Sequence, residues 1–185
     1  MAKILAVNGS PNKAGNTARM LRSVLEVCAA AGNETEFYQA GGRPVRGCLA
    51  CGGCGTHLGR CSVDDWLNEL YPKLAEADAI VLGSPTYFAD ITPELKAVID
   101  RAGYISRRDG MRFSRKIGAA VCPMRRAGSI HALDSIQHFF LINDMVVPGS
   151  TYWNLGVGDF EQDAEGVGVV RRLGENIAWL AERLK

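Results

Sequence analysis

The chain has 185 residues, of which 47% are apolar, and its 21 lysines and arginines almost balance its 20 aspartates and glutamates. This balance argues against a nucleic-acid-binding surface or a polybasic membrane patch, so small molecules or other proteins are the expected partners. The N-terminal apolar run is too short for a signal peptide, and no stretch reaches the length of a membrane span. The expected location is therefore the cytoplasm, with no membrane and no nucleic-acid contact.

The first half of the chain predicts two strands and two helices. A short apolar strand from Lys3 to Val7 leads into a helix whose apolar residues recur every three or four positions and which ends at Gly32. Alternating residues at Glu34 to Gln39 predict the second strand. A glycine- and cysteine-rich segment at about 41–63 is too irregular for an element of its own. The pair Asp64–Asp65 then caps the second helix.

The second half predicts three further strands and three helices. A fully apolar strand at Ala79 to Leu82 ends in a Gly-Ser-Pro turn, and Thr92–Pro93 begins the next helix. The remaining elements are expected at Ile117 to Cys122 (strand), Ala132 to Ile142 (helix), Met145 to Val147 (strand) and about Gly166 to Leu184 (helix). Strands that alternate with helices imply right-handed βαβ units and a parallel sheet covered on both faces. Ligands of such sheets bind at the carboxyl ends of the strands.

The loop between the first strand and the first helix predicts a phosphate site. It reads Asn-Gly-Ser-Pro-Asn-Lys-Ala-Gly-Asn-Thr over residues 8–17, so its N–H groups surround a helix N-terminus, which favours an anion. The expected binding residues are Ser10, Asn12, Gly15, Asn16 and Thr17. The loop lacks both the Gly-Lys-Ser/Thr ending of a nucleoside-triphosphate loop and the three-glycine dinucleotide motif. A monophosphate is therefore favoured, and an ordinary polar turn capped by Asn16 is the alternative.

With this loop, the chain resembles the flavodoxin-like NAD(P)H-dependent FMN reductase superfamily, whose first loop reads much like Gly-Ser-Pro-x-x-x-Gly-Asn-Thr. The resemblance covers nearly the whole chain. It implies one flavodoxin-like domain over residues 1–185: an α/β three-layer sandwich with strand order 2-1-3-4-5, carrying the cysteine-rich insertion. It also implies FMN with its phosphate in the loop from Ser10 to Thr17, NAD(P)H as a possible co-substrate, and a homodimer or homotetramer.

The loop after the third strand is expected to border the flavin ring. Pro85, Tyr87 and Phe88 offer apolar surface, and the N–H groups of Thr86 to Phe88 are expected to bond the N5 and O4 edge. In the resembled superfamily this Pro-x-Tyr segment contacts the flavin. Ordinary packing of loop aromatics is the alternative.

The loop after the fourth strand is the third expected flavin contact. Related proteins place an Arg-x-Gly-Gly-like loop here, and this chain has Ala127 where the first glycine often stands. Arg126, or N–H groups near Gly128, are expected to stabilise the negative charge that develops at the N1 and C2 carbonyl edge on reduction. The alternative is that Arg125 and Arg126 simply face water.

Four cysteines, Cys48, Cys51, Cys54 and Cys61, lie within fourteen residues on the glycine-rich segment. Thiolates in this number suit an iron–sulfur cluster or a zinc ion. The spacing resembles that of the iron–sulfur flavoproteins, in which the four cysteines hold a four-iron, four-sulfur cluster that feeds FMN. Zinc, redox-active thiols and vestigial cysteines remain open. Cys28 and Cys122 are expected to be small buried apolar residues.

These features support one leading interpretation and two alternatives. The first is an FMN oxidoreductase of iron–sulfur flavoprotein type, which exchanges electrons with a ferredoxin-like protein or a small acceptor. No catalytic acid or nucleophile is expected, because the flavin supplies the reactivity. The second is a cluster-free NAD(P)H-dependent FMN or quinone reductase. The third is a zinc-stabilised binding or regulatory protein.

Overall fold

Five parallel strands form the central sheet of the computed structural model, which describes residues 1–184; Lys185, the last residue of the predicted domain, lies outside them. The strands are β1 (Lys3–Asn8), β2 (Glu34–Gln39), β3 (Ala79–Gly83), β4 (Ile117–Met124) and β5 (Leu155–Val157). Their order, β2-β1-β3-β4-β5, confirms the predicted topology. All four neighbouring pairs are parallel, so the carboxyl ends of the strands share one edge.

In the part of the chain that the structure describes, five helices connect and cover the strands. They are α1 (Asn16–Ala30), α2 (Leu67–Glu76), α3 (Pro93–Arg108), α4 (Ser129–Ile142) and α5 (Ala164–Arg183), with short 3-10 turns at Gly53–Gly55 and Phe160–Gln162. Within residues 1–184, no helix is both long and apolar enough to cross a membrane.

The sheet separates two apolar cores. One face of β1 presents Leu5 and Val7 to the layer formed by α2, α3 and α4. The opposite face presents Ile4 and Ala6 to α1 and α5. The alternation of side chains along a strand therefore produces the expected three-layer arrangement.

The helix starts follow the expected capping chemistry at two places. Thr92 precedes α3 and its hydroxyl oxygen accepts from the Leu95 N–H at 3.4 Å. At α2 the carboxylate of Asp65 accepts from the Leu67 N–H at 3.1 Å. Asp64 instead pairs with Arg60 on the surface. The N-cap residue of α2 is Trp66, so neither predicted aspartate occupies that position, and only Asp65, one residue before it, bonds an N–H of the first turn.

The fifth strand was placed incorrectly by the sequence interpretation. Val146, in the predicted strand at Met145 to Val147, makes only an isolated parallel bridge with Ile117. The chain then leaves the sheet at Pro148, which has no N–H to donate. It returns at β5, ten residues beyond the predicted start, and pairs with the carboxyl-terminal half of β4. The short Leu-Gly-Val sequence of β5 carries too weak an apolar signal to identify it.

Candidate functional site

A network of buried amides shapes the loop that follows β1. The Asn8 side chain is fully buried; its Oδ1 accepts from the Ser10 N–H at 3.1 Å, and its Nδ2 donates to Gln39 Oε1 at 2.8 Å. The Gln39 amide in turn donates to the carbonyl oxygens of Ser10 and Gly41 at 2.7 and 2.8 Å. The ends of β1 and β2 thus fix the turn at Ser10.

The same loop leads to unpaired N–H groups at the start of α1. The first helical bond runs from the Arg19 N–H to the Gly15 carbonyl at 3.0 Å. The N–H groups of residues 16–18 have no partner among the described residues. Ser10 and Thr17 lie buried at this end of the helix. Such a helix start attracts an anion, since its free N–H groups coincide with the positive end of the helix dipole.

The other predicted phosphate residues have distinct structural roles. Asn12 Oδ1 accepts from the Ala14 N–H at 3.0 Å, which bends the loop towards Gly15. The Asn16 side chain donates to the Gly158 carbonyl at 2.5 Å and accepts from the Phe160 N–H at 3.2 Å. It therefore joins α1 to the segment after β5, while its own backbone N–H remains unpaired at the helix start.

The loop after β3 contains a tight turn with two exposed aromatic residues. Tyr87 and Asp90 exchange two backbone hydrogen bonds of 2.7 and 3.0 Å. Phe88 and Ala89, between them, have positive φ angles of 47° and 66°. The Phe88 side chain is fully exposed and Tyr87 is partly exposed. Non-glycine residues seldom adopt this conformation, and it concentrates at functional sites.

The backbone N–H groups of this turn meet part of the prediction that residues 86–88 bond the flavin edge. The Tyr87 N–H is bonded to Asp90, whereas the N–H groups of Thr86 and Phe88 have no partner within residues 1–184. Half-buried Pro85 precedes them. Two of the three predicted donors are therefore available to a ligand.

The loop after β4 packs against this turn. Gly128 has a φ of 91°, and a Cβ atom there would lie 3.0 Å from Ala89 Cα and 3.3 Å from Thr86 Cγ2. Arg125 and Arg126 are exposed, and neither has a hydrogen-bond or ion-pair partner among the described residues. The structure thus brings the second and third predicted flavin loops together and leaves the Arg126 guanidinium available.

The arrangement fits FMN in its chemistry. A helix start with three unpaired N–H groups and the buried Ser10 and Thr17 is suited to a terminal phosphate. Exposed Tyr87 and Phe88, with unpaired N–H groups beside them, are suited to an amphipathic ring. Both features lie at the carboxyl edge of the sheet, where ligands of this fold class bind.

The four clustered cysteines lie on a loop anchored to the core at both ends. On the entry side, Pro44 accepts a hydrogen bond from Trp66 Nε1 at 2.6 Å. On the exit side, the Cys61 N–H donates to Asn68 Oδ1 at 2.9 Å, and the Cys61 carbonyl accepts from Asn68 Nδ2 at 3.2 Å. Cys48 and Cys51 are exposed, whereas Cys54 and Cys61 are partly buried against the core.

All six cysteines are free in the part of the chain that the structure describes, but their environments differ. Burial raises the pKa of the Cys28 and Cys122 thiols to about 12, so both remain protonated, as befits buried apolar residues. Hydrogen bonds from the Gly53 N–H and the Ser62 hydroxyl lower the pKa of exposed Cys51. No three cysteine, histidine or acidic side chains within residues 1–184 are gathered for metal binding. The four loop thiols thus fit a cluster by donor type and shared loop, without being assembled into one.

Arg101, which the sequence interpretation did not consider, holds both ends of the cysteine loop. It lies on α3 with a fully buried side chain and forms a two-point ion pair with Asp65 at 2.7 and 2.8 Å. Burial opposes ionisation of Asp65, but the hydrogen bonds from Arg101 and the Leu67 N–H outweigh it and hold the carboxyl pKa below 3.8. A charged residue on the apolar face of α3, three positions after Val98, was the available sequence signal.

This ion pair predicts a specific pH dependence of stability. A carboxyl group whose pKa is lowered by folding stabilises the protein at pH values above its ordinary pKa of 3.8. This contribution is lost as the pH falls through the pKa of the folded state. Asp65→Asn should therefore lower the free energy of unfolding by about 2 kcal/mol at pH 7, since it leaves Arg101 without its counter-charge. The difference from the unmodified chain should shrink between about pH 5 and pH 3.

Urea unfolding at pH 7, 5 and 3 measures this difference. Asp64→Asn is the matched control, because its pair with Arg60 is exposed and should contribute less than about 0.5 kcal/mol. An Asp65→Asn deficit that stays constant over this pH range would show that the carboxylate charge does not stabilise the fold.

Comparisons with known proteins show the family and the fold of the chain. Residues 2–159 match the family model described as NADPH-dependent FMN reductase. An iron–sulfur flavoprotein of Methanocaldococcus jannaschii is 34% identical over 99% of both chains. One of Methanosarcina thermophila is 30% identical over 99% of this chain and 97% of its own. A flavodoxin, WrbA-like protein of Agrobacterium tumefaciens has the same fold, with a TM-score of 0.70 at 16% identity over all of both chains.

The family match and the fold concern most of the chain rather than one motif. The matched region contains all three loops at the carboxyl edge and the four-cysteine loop. The chain therefore belongs to the NADPH-dependent FMN reductase family, as an FMN-dependent oxidoreductase related to iron–sulfur flavoproteins.

Proposed function

We propose that this protein passes electrons between FMN and an iron–sulfur cluster held by Cys48, Cys51, Cys54 and Cys61. The observation that carries the proposal is the direct connection of the two candidate sites. Gly41, at the start of the cysteine segment, donates its N–H to the Asn8 carbonyl at 2.8 Å, and Asn8 shapes the phosphate loop. Relatives of at least 30% identity over almost the whole chain carry the name iron–sulfur flavoprotein, which supports the assignment.

The residues of the chain bind and orient FMN and the cluster, and these two groups carry the electrons. FMN accepts two electrons as a hydride and releases them singly, which suits a link between two-electron and one-electron partners. Ser10, Thr17 and the first-turn N–H groups of α1 would hold the phosphate. The turn around Tyr87 and the loop at Arg126 would border the ring.

The partners follow from this chemistry as further proposals. A ferredoxin-like protein suits exchange of single electrons with the cluster, and NAD(P)H or a small acceptor suits hydride exchange at the flavin. Six free thiols favour the reducing cytoplasm. A homodimer or homotetramer, as the resemblance implies, would bring the carboxyl edges of two sheets, with their candidate sites, close together.

The exposure of Cys48 and Cys51 favours a second candidate, a cluster-free NAD(P)H-dependent FMN or quinone reductase. A zinc-stabilised binding or regulatory protein is the third. Anaerobic purification followed by an absorption spectrum and by iron, sulfide and zinc analysis separates them. Flavin bands with broad additional visible absorption and acid-labile sulfide support the first, and flavin bands alone support the second. Zinc without iron, in protein that retains no FMN, supports the third.

Cys51→Ala tests whether the two sites are separable. We expect this variant to lose iron and sulfide and to keep FMN, because the phosphate loop is fixed by Asn8 and Gln39 rather than by any cysteine. Cys28→Ala is the matched control and should keep both groups, since Cys28 lies on α1 and is buried against α5, away from the cysteine loop. Loss of FMN from Cys51→Ala together with the iron would contradict separate sites.

A further inference from the structure

Arg101 uses every N–H donor of its guanidinium. Two donate to the carboxylate of Asp65, and two more donate to the carbonyl oxygens of Arg46 and Val63, both at 3.1 Å. The fifth, on Nε, donates to Cys61 Sγ at 3.3 Å. An arginine side chain has five such donors in a rigid fork. All five hydrogen bonds of Arg101 are therefore made to Asp65 and to the cysteine loop with its flanking residues.

The contacts of Arg101 enclose the cysteine loop from both sides. Arg46 lies two residues before Cys48, and Val63 lies two residues after Cys61. Cys61 is the one cysteine of the four whose sulfur accepts a hydrogen bond from a buried cation in the described chain. The Arg101 side chain is 0% exposed, so water screens its effect on that sulfur very little.

We propose that Arg101 is a positioning residue that raises the reduction potential of the cluster through its bond to Cys61. This inference rests on the proposed function, because it requires a cluster on the four cysteines. Reduction adds one electron and makes the cluster more negative, while no bond is formed or broken. A donor held against a ligand sulfur stabilises the reduced form more than the oxidised form, and hydrogen bonds to sulfur are among the factors that set cluster potentials.

The first test is Arg101→Lys. Lysine keeps a positive charge that can face Asp65, but its single ammonium cannot reproduce five directed bonds. Protein reconstituted anaerobically with iron and sulfide should keep its iron content, and its cluster should be harder to reduce. At the midpoint potential of the unmodified cluster, the ratio of reduced to oxidised cluster should fall about tenfold, equivalent to about 59 mV for one electron. The FMN potential, measured in the same dithionite titration, should stay unchanged.

Two further variants make the test specific. Arg60→Gln removes a positive charge next to Cys61 in sequence, but Arg60 is exposed and paired with Asp64, so the ratio should change less than about twofold. The double variant Arg101→Gln/Asp65→Asn removes the buried cation without leaving an unpaired carboxylate, and its cluster potential should also fall.

The outcomes distinguish this inference from the proposed function. Unmodified protein that takes up no iron and sulfide under these conditions overturns both. A loaded cluster whose potential is the same in the unmodified protein and both Arg101 variants overturns only the role of Arg101. If the ratio of reduced to oxidised cluster falls as much in Arg60→Gln as in Arg101→Lys, the role of Arg101 is also overturned, because general positive charge near the loop would then explain the effect. Loss of the cluster from both Arg101 variants also contradicts it, since that result indicates a purely structural role.

Discussion

Gly41→Ala should lower the free energy of unfolding by about 4 kcal/mol and weaken FMN binding at least about 100-fold. Gly41 lies directly on the phosphate loop, and a Cβ atom there would overlap the Ser10 carbonyl group and the Gly9 carbonyl oxygen. All of these are backbone atoms, so no side-chain rotation relieves the overlap. Because the Gly41 N–H also bonds to the Asn8 carbonyl, the loop itself must move.

Comparison of FMN with riboflavin identifies the site of the damage. Riboflavin has the same ring and no phosphate, so Gly41→Ala should reduce its affinity by less than about threefold. Gly168→Ala is the matched control: nothing lies within 4 Å of a Cβ there, and its place in α5 makes alanine neutral or stabilising by about 0.5–1 kcal/mol. Equal losses of FMN and riboflavin affinity in Gly41→Ala would contradict a phosphate-specific role for this loop.

The architecture was predictable because each buried strand carries its own signal. Ala79 to Leu82 is apolar throughout, as a parallel strand covered on both faces must be, and it is fully buried in β3. The edge strand is different. β5 has three residues, of which only Gly156 is buried, and the chain reaches it after leaving the sheet at Pro148. Strand position at an edge depends on pairing with β4, which a local sequence pattern does not contain.

The sequence pattern indicates the loops of the candidate site, but it does not indicate the residues whose hydrogen bonds hold those loops in place. The loop from Ser10 to Thr17 is recognisable because a short polar sequence joins a strand to a helix. Asn8 and Gln39 are thirty-one residues apart, and only the parallel register of β1 and β2 places them opposite each other. Their hydrogen bonds depend on that register. A polar residue at the end of each strand was the only local sign of them.

The hydrogen-bond network around Asn8 predicts that the replacement of a single atom will disable phosphate binding. Asn8→Asp keeps the size of the side chain and replaces the Nδ2 donor with an oxygen. That oxygen would face Gln39 Oε1 and the Ser10 carbonyl, which the amide contacts at 2.8 and 3.3 Å. Rotation of the Gln39 amide would relieve one repulsion but break its bonds to Ser10 and Gly41.

Asn8→Asp should therefore cost about 3 kcal/mol of unfolding free energy and weaken FMN binding about 100-fold, because a buried position either holds an unpaired charge or takes up a proton. A carboxylate there would also repel the phosphate. Titration with FMN and with riboflavin measures the effect, and only FMN should respond strongly. Asn33→Asp is the matched control, since its amide bonds to Ala2 and Cys28 at the amino edge of the sheet. That variant should lose stability and keep its FMN affinity. If both variants weaken FMN equally, general destabilisation rather than the shape of the phosphate loop explains the loss.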